Sequence, residues 1–231
     1  MWVGICLSSL KLAFSRDRNY PLPSIDEGTT YTVKFSQAGE LSYTVPYAQQ
    51  HTEGKNVSRE MDLSDTSLFN PNGWRVSHQL GFYSWEFGRF IPFKMQGEAG
   101  DFRMTVSVNC YEGDLKKFIL DSYEEYFNGP NGRNTEVRQS PDFGQDLTDE
   151  ELGPWIVHVP ESLDVKMVNA IEFLHWSVSN EFQQRPHQHF AYALTEDRYV
   201  LFTFSYWGTD ELKDTKLKLV DDIMKRVSIQ I

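Results

Sequence analysis

The chain has 231 residues, 40% of them hydrophobic and 24% charged, with a formal net charge of −11. That is enough chain to bury a full core without disulfide or metal staples, and the balance is globular rather than disordered. The acidic surplus, with no Lys/Arg cluster interleaved with aromatics, argues against a nucleic-acid surface and leaves a soluble protein or one with a basic protein partner.

Residues 1–14 are apolar, with Lys11, Arg16 and Arg18 behind them. A secretory signal has the reverse order, and the run is too short to cross a bilayer. It reads as an ordered, packed segment. A soluble protein is expected, cytoplasmic in preference to periplasmic, with no transmembrane segment. Cys6 and Cys110 form neither a metal nor a thiol-redox motif; two free thiols and one disulfide both remain open.

Tyr31, Val33 and Phe35 alternate within residues 29–36, and residues 41–47 follow the turn Gln37-Ala38-Gly39-Glu40, which predicts a hairpin. Pro46 suits a strand end. Residues 48–73 are polar and read as a long surface connection. Residues 74–93 are rich in aromatics, and the alternation changes phase between Leu80/Phe82 and Tyr83/Trp85/Phe87. A bulge, or a strand buried on both faces, does that. Phe102, Met104, Val106, Val108 and Cys110 alternate with Arg103, Thr105, Ser107 and Asn109, the pattern of an antiparallel strand with one polar face.

Leu115, Phe118, Ile119, Tyr123 and Tyr126 form the apolar face of a helix over 114–127, stopped by Asn128-Gly129-Pro130-Asn131-Gly132. Residues 128–153 read as a second long polar connection. A short strand is predicted over 155–159, and one long strand or two short ones over 164–178. The last unit is the most legible. Strands over 190–194 and 200–206 flank the turn Thr195-Glu196-Asp197-Arg198. A helix follows, with Thr209 as N-cap and Leu212, Leu219, Val220, Ile223, Met224 and Val227 on one stripe, and residues 228–231 return to alternation. The expected fold is α+β, one domain over 1–231: a mostly antiparallel sheet of about six to nine strands with helices packed on it, α/β/α sandwich-like.

The early hairpin ending in Leu41-Ser-Tyr-Thr-Val-Pro46, and the late hairpin followed by a helix over 210–225 and by Val227-Ser-Ile-Gln-Ile231, resemble the PsbP/DcrB-like α/β/α sandwich family. The likeness covers the first hairpin and roughly the last 45 residues. It implies a binding, assembly or chaperone-like module of bacterial type rather than an enzyme.

Two constellations stand out. His187 and His189 share one face of a strand, so both imidazoles can reach one divalent transition metal such as zinc, with His175, Glu172 or His158 as the third ligand. Two ordinary histidines at a strand start is the competing reading. The other constellation is an aromatic surplus at Trp207, Trp176, Trp85 and Tyr83, which suits either core packing or a surface that docks another protein. Trp207 has the opposite parity to Val200, Phe202, Phe204 and Tyr206, so it needs a second covering layer or a partner. No nucleophile elbow or glycine-rich phosphate loop is present. The leading expectation is therefore a non-enzymatic protein-binding module: an assembly factor, a chaperone-like adaptor or an immunity-type inhibitor of a basic effector. The alternative is a metal-binding protein or metal-dependent enzyme centred on His187 and His189.

Overall fold

The computed structural model describes residues 18–20, 25–46, 56–69, 76–90, 99–140, 147–148, 150–153, 155–178, 187–207 and 213–231. In chain order the strands are β1 (Arg18–Tyr20), β2 (Thr29–Phe35), β3 (Gly39–Val45), β4 (Asn56–Met61), β5 (Ser77–Phe90) and β6 (Ala99–Cys110). The helices α1 (Leu115–Asn128) and α2 (Arg133–Gln139) follow. Then come β7 (Asp164–Val168), β8 (Ile171–Val178), β9 (His187–Ala193), β10 (Arg198–Trp207), α3 (Lys213–Met224) and β11 (Ser228–Gln230). The fold is α+β, mostly antiparallel sheet with helices packed on it.

The strands divide between two sheets. Seven run in the order β1-β5-β6-β10-β9-β8-β7, and four in the order β11-β3-β2-β4. Only the β2–β4 pairing is parallel among the described strands. In β2 and β3 the alternating residues Tyr31, Val33, Phe35, Leu41, Tyr43 and Val45 are buried. They pack against one face of the large sheet, on Leu80, Tyr83, Trp85, Phe102, Met104, Phe202 and Phe204, and α3 adds Leu219, Val220, Ile223 and Met224 to the same core. On the other face, α1 packs Ile119 and Tyr123 onto Trp176, Val178, Ala191, Tyr199 and Leu201. Each apolar face of the large sheet thus finds its own cover. Gly39, at φ 73, allows the β2–β3 turn to pass close to β11, where a Cβ would overlap the Gln230 carbonyl.

The phase change in β5 is a bulge: the β5–β6 register shifts between Gln79 and Gly81, so that Leu80, Tyr83 and Trp85 are buried while Phe82 is exposed. Other expectations need correction. The polar stretch 48–73 contains β4, whose Ser58, Arg59 and Glu60 face solvent and hide the alternation. The stretch 128–153 contains α2, held by the buried Asn134 rather than by an apolar stripe. Residues 155–159 make only an isolated bridge at His158. The final strand joins the small sheet beside β3, where Ile229 pairs with Leu41, and does not extend the large one. The segment 1–14 and Cys6 lie outside the described residues. No described helix is long and apolar enough to cross a membrane.

Residues 164–178 form two strands joined by a two-residue turn, Asn169-Ala170, with φ 51 and 63. Both values are positive, as a type I′ hairpin requires. Asn169 also ties the turn to the end of α3, its Nδ2 donating to the carbonyls of Lys225 at 2.7 Å and Val227 at 3.1 Å. Ala170 has no such compensation, and left-handed backbone costs a β-carbon about 1–2 kcal/mol. Ala170→Gly is expected to raise the urea-unfolding free energy by about 0.5 kcal/mol, the strain relieved exceeding the entropy gained by the unfolded chain. A lower stability in the variant would show that the turn carries no strain.

Candidate functional site

A cleft of about 1390 Å³ runs along one flank of α1. Its first wall is the helix itself. Asp114 caps it, accepting from the Lys117 N–H at 2.8 Å. From there Asp114, Lys117, Phe118, Asp121, Ser122, Glu125 and Tyr126 follow at helical spacing and line one side. The second wall is the end of β6 and the β9–β10 turn: Cys110, Tyr111, Glu112, Asp197 and Arg198. Tyr111 pins the two together, its backbone N–H donating to the Asp197 carbonyl at 3.0 Å and its hydroxyl to the Thr195 carbonyl at 2.8 Å. The third wall is α2, with Arg133 and Glu136.

The position of α2 depends on Asn134. Its Nδ2 donates to the Val157 carbonyl at 2.9 Å and to Asn128 Oδ1 at 2.8 Å, and its Oδ1 accepts from the Val157 N–H at 2.8 Å. Asn134 is buried, so these bonds join α2, the end of α1 and the 155–159 segment away from water.

The cleft is acidic. Glu112, Asp114, Asp121, Glu125, Glu136 and Asp197 stand against Lys117, Arg133 and Arg198. Arg198 is itself committed: its Nη1 is 2.7 Å from Asp197 Oδ2, and its guanidinium lies 4.8 Å from the centre of the Phe69 ring. Apolar surface comes from Phe118 and from Tyr126, which is exposed. The Cys110 thiol is free, and burial pushes its pKa up, so it is a poor nucleophile. Burial, reinforced by Asp197, likewise raises the Tyr111 phenol. A concave, carboxylate-rich wall with aromatic contact surface suits recognition of cations by charge and packing more than covalent chemistry.

The histidine pair behaves differently. His187 and His189 share a face of β9, with rings stacked 6.2 Å apart and 11° from parallel. His175, however, pairs in register with Phe190, whereas Trp176 pairs with His189. His175 therefore lies on the opposite face of the sheet and cannot join the other two, because successive residues of a strand alternate sides. His189 is buried in a network of its own: Nε2 is 3.2 Å from Tyr123 Oη, Nδ1 is 3.1 Å from Thr203 Oγ1, and the ring stacks on Trp176 at 4.9 Å. Both of its ring nitrogens are thus engaged. No group of three or more His, Cys, Asp or Glu side chains gathers to hold a metal among the described residues. On the other face, burial, assisted by the Lys166 charge, lowers the His175 pKa.

Three of the four aromatic candidates, Trp85, Tyr83 and Trp176, are core residues. Trp85 and Tyr83 lie between the two sheets, where Trp85 Nε1 donates to the Pro46 carbonyl at 3.3 Å and the Tyr83 and Tyr43 hydroxyls are 3.2 Å apart. Burial, then the neighbouring Tyr43, raises the Tyr83 pKa far above its ordinary value. Trp176 is buried under α1, edge-on to Tyr123 at 5.9 Å. These three do not make an exposed docking face; the small sheet and α1 cover them. Trp207 pairs in register with Asp101 at the end of β10, and its side chain lies outside the described residues.

The cleft residues were absent from the sequence-based candidates, although one signal was available. Asp114, Lys117, Asp121 and Glu125 make a charged stripe at helical spacing. A charged stripe is ordinarily a solvated face, and only the folding of Tyr111, Asp197 and α2 alongside turns it into a wall. No family model, no curated protein and no solved structure matches this chain.

Proposed function

We propose that this protein is a non-enzymatic protein-binding module that receives a basic segment of a partner protein in the acidic cleft beside α1. The observation that carries the reading is the cleft itself: about 1390 Å³, six carboxylates to three cations, and aromatic surface at Phe118 and Tyr126. A Lys/Arg-rich segment would gain charge complementarity there, and its aliphatic stems would lie against the rings. The net charge of −11 adds long-range attraction for such a partner. An adaptor, assembly factor or immunity-type inhibitor of a basic effector fits this chemistry, in keeping with the PsbP/DcrB-like resemblance.

The test compares the wild-type chain with Asp121→Lys/Glu125→Lys in capture from native lysate, followed by mass spectrometry and measured affinity for the recovered partner. Both side chains are exposed on one flank of α1, so the substitutions leave the fold intact. The wild type is expected to retain a basic protein. The double variant should bind it at least about tenfold more weakly, equivalent to about 1.4 kcal/mol, and wild-type binding should weaken as salt is raised. Equal capture by both chains, or an acidic partner, refutes the proposal.

A further inference from the structure

Two carboxylates of the cleft are unengaged by the fold. Asp121 and Glu125 are exposed, and neither forms an ion pair or a side-chain hydrogen bond with a described residue. Asp114 uses one oxygen, Oδ1, to accept the Lys117 N–H at the helix cap. Asp114, Asp121 and Glu125 follow at intervals of seven and four residues. They therefore stand along one line of α1, about 10.5 Å and then about 6 Å apart on its axis. Phe118 and Tyr126 line the same cleft, about 12 Å apart on that axis.

We infer that the occupant of the cleft is an amphipathic α-helix laid along α1, with Lys or Arg at i, i+7 and i+11 and apolar residues beside that row. This rests on the reading of the cleft as the site of a basic segment. The spacing of the acids selects the helix. A helical partner has the same rise as α1, so residues seven and four apart share one of its faces and meet all three carboxylates. An extended chain rises about 3.3 Å per residue, so the two intervals correspond to about three and about two of its residues. The odd interval turns its first cation away from the other two, because successive strand residues face opposite sides. The backbone of the walls selects the helix as well. Extended segments bind by main-chain hydrogen bonds to a sheet edge. Here the long wall is α1, whose interior N–H and C=O groups are bonded within the helix. At the second wall the Cys110 and Tyr111 N–H groups already donate to the carbonyls of Val76 and Asp197. A helical occupant satisfies its own backbone and asks the cleft only for charge and apolar contact, which Phe118 and Tyr126 supply. Lys117 lies between Asp114 and Asp121 on the same flank, so the row of cations has a gap at that level.

Synthetic peptides of about 18 residues, labelled for fluorescence anisotropy against the full chain, test the inference. One carries lysines at i, i+7 and i+11 with leucines beside them, and a second is its reversed sequence, which covers both directions along α1. The tighter binder of the two is compared with a version carrying a central proline, and with a peptide of the same composition whose lysines alternate. Both comparison peptides keep the charge and lose the helix or its spacing. Each is expected to bind at least about tenfold more weakly than the helical peptide. Equal affinities, or tighter binding of either comparison peptide, overturn the helical occupant and leave a cleft that reads charge alone. If no peptide binds, or if binding is unchanged in Asp121→Lys/Glu125→Lys, the helical occupant and the basic-segment reading both fall.

Discussion

Phe202→Ala is expected to lower the unfolding free energy by about 4 kcal/mol, the largest loss anticipated from any single truncation considered for this chain. Phe202 sits at the middle of β10, the central strand of the large sheet, and is fully buried. It pairs with Val106 on one side and Phe190 on the other. Its ring meets Tyr43 of the small sheet edge-on at 5.9 Å and Phe173 of β8 edge-on at 6.3 Å. It therefore joins the two sheets as well as filling space. Truncation removes the transfer free energy of the ring and leaves a cavity between two backbones that are hydrogen-bonded in place and cannot collapse onto it. Chemical denaturation, with the m-value checked against wild type, measures the loss. A loss below about 1.5 kcal/mol would mean that the sheets close over the gap, contrary to a rigid double layer.

Asn134→Ala is expected to cost about 3 kcal/mol, although it removes only a few atoms. The three hydrogen bonds it deletes are not equivalent. Two serve the N–H and C=O of Val157, a buried residue, and leaving buried backbone groups unpaired costs more than the bonds themselves contribute. The third joins the end of α1 to α2. The consequence reaches the cleft, since Arg133 and Glu136 of its third wall stand on α2. Weaker partner binding should therefore accompany the stability loss, at temperatures where the variant is still folded. Hydrogen exchange at the Val157 amide gives the local reading: protection should fall sharply in the variant. Unchanged protection would show that Asn134 is not what holds this segment.

Much of the secondary structure was legible because its causes are local. Strict alternation in β6, the phase change at the β5 bulge, the Thr195–Arg198 turn and the apolar stripe of α1 each follow from a period of two or of 3.6 residues and from turn chemistry. Elements that violate local rules were missed. β4 has three exposed polar residues in a row and gains its place by pairing with β2. The seven-residue α2 is anchored by one buried asparagine. Neither has a periodic pattern, since neither owes its existence to burying a stripe of its own.

The site was less legible than the fold. Parity in the sequence correctly put His187 and His189 on one side of a strand and Phe190 on the other. It could not tell which side of β8 faces them, since that depends on pairing register, and the register sends His175 to the far face. Likewise Trp85, Tyr83 and Trp176 allow a docking surface as well as core packing until the small sheet and α1 cover them.

By itself, then, the sequence determined the strands with clear alternation, the helices with apolar stripes, and an acidic, mostly antiparallel α+β protein, because backbone periodicity and net charge are written residue by residue. Tertiary structure alone decided that there are two sheets rather than one, that Tyr83, Trp85 and Trp176 are interior, that the charged flank of α1 becomes the wall of a cleft, and that β7 lies at the end of the large sheet. Each of these is a question of which surface meets which, and that is settled by non-local pairing and burial rather than by any local pattern.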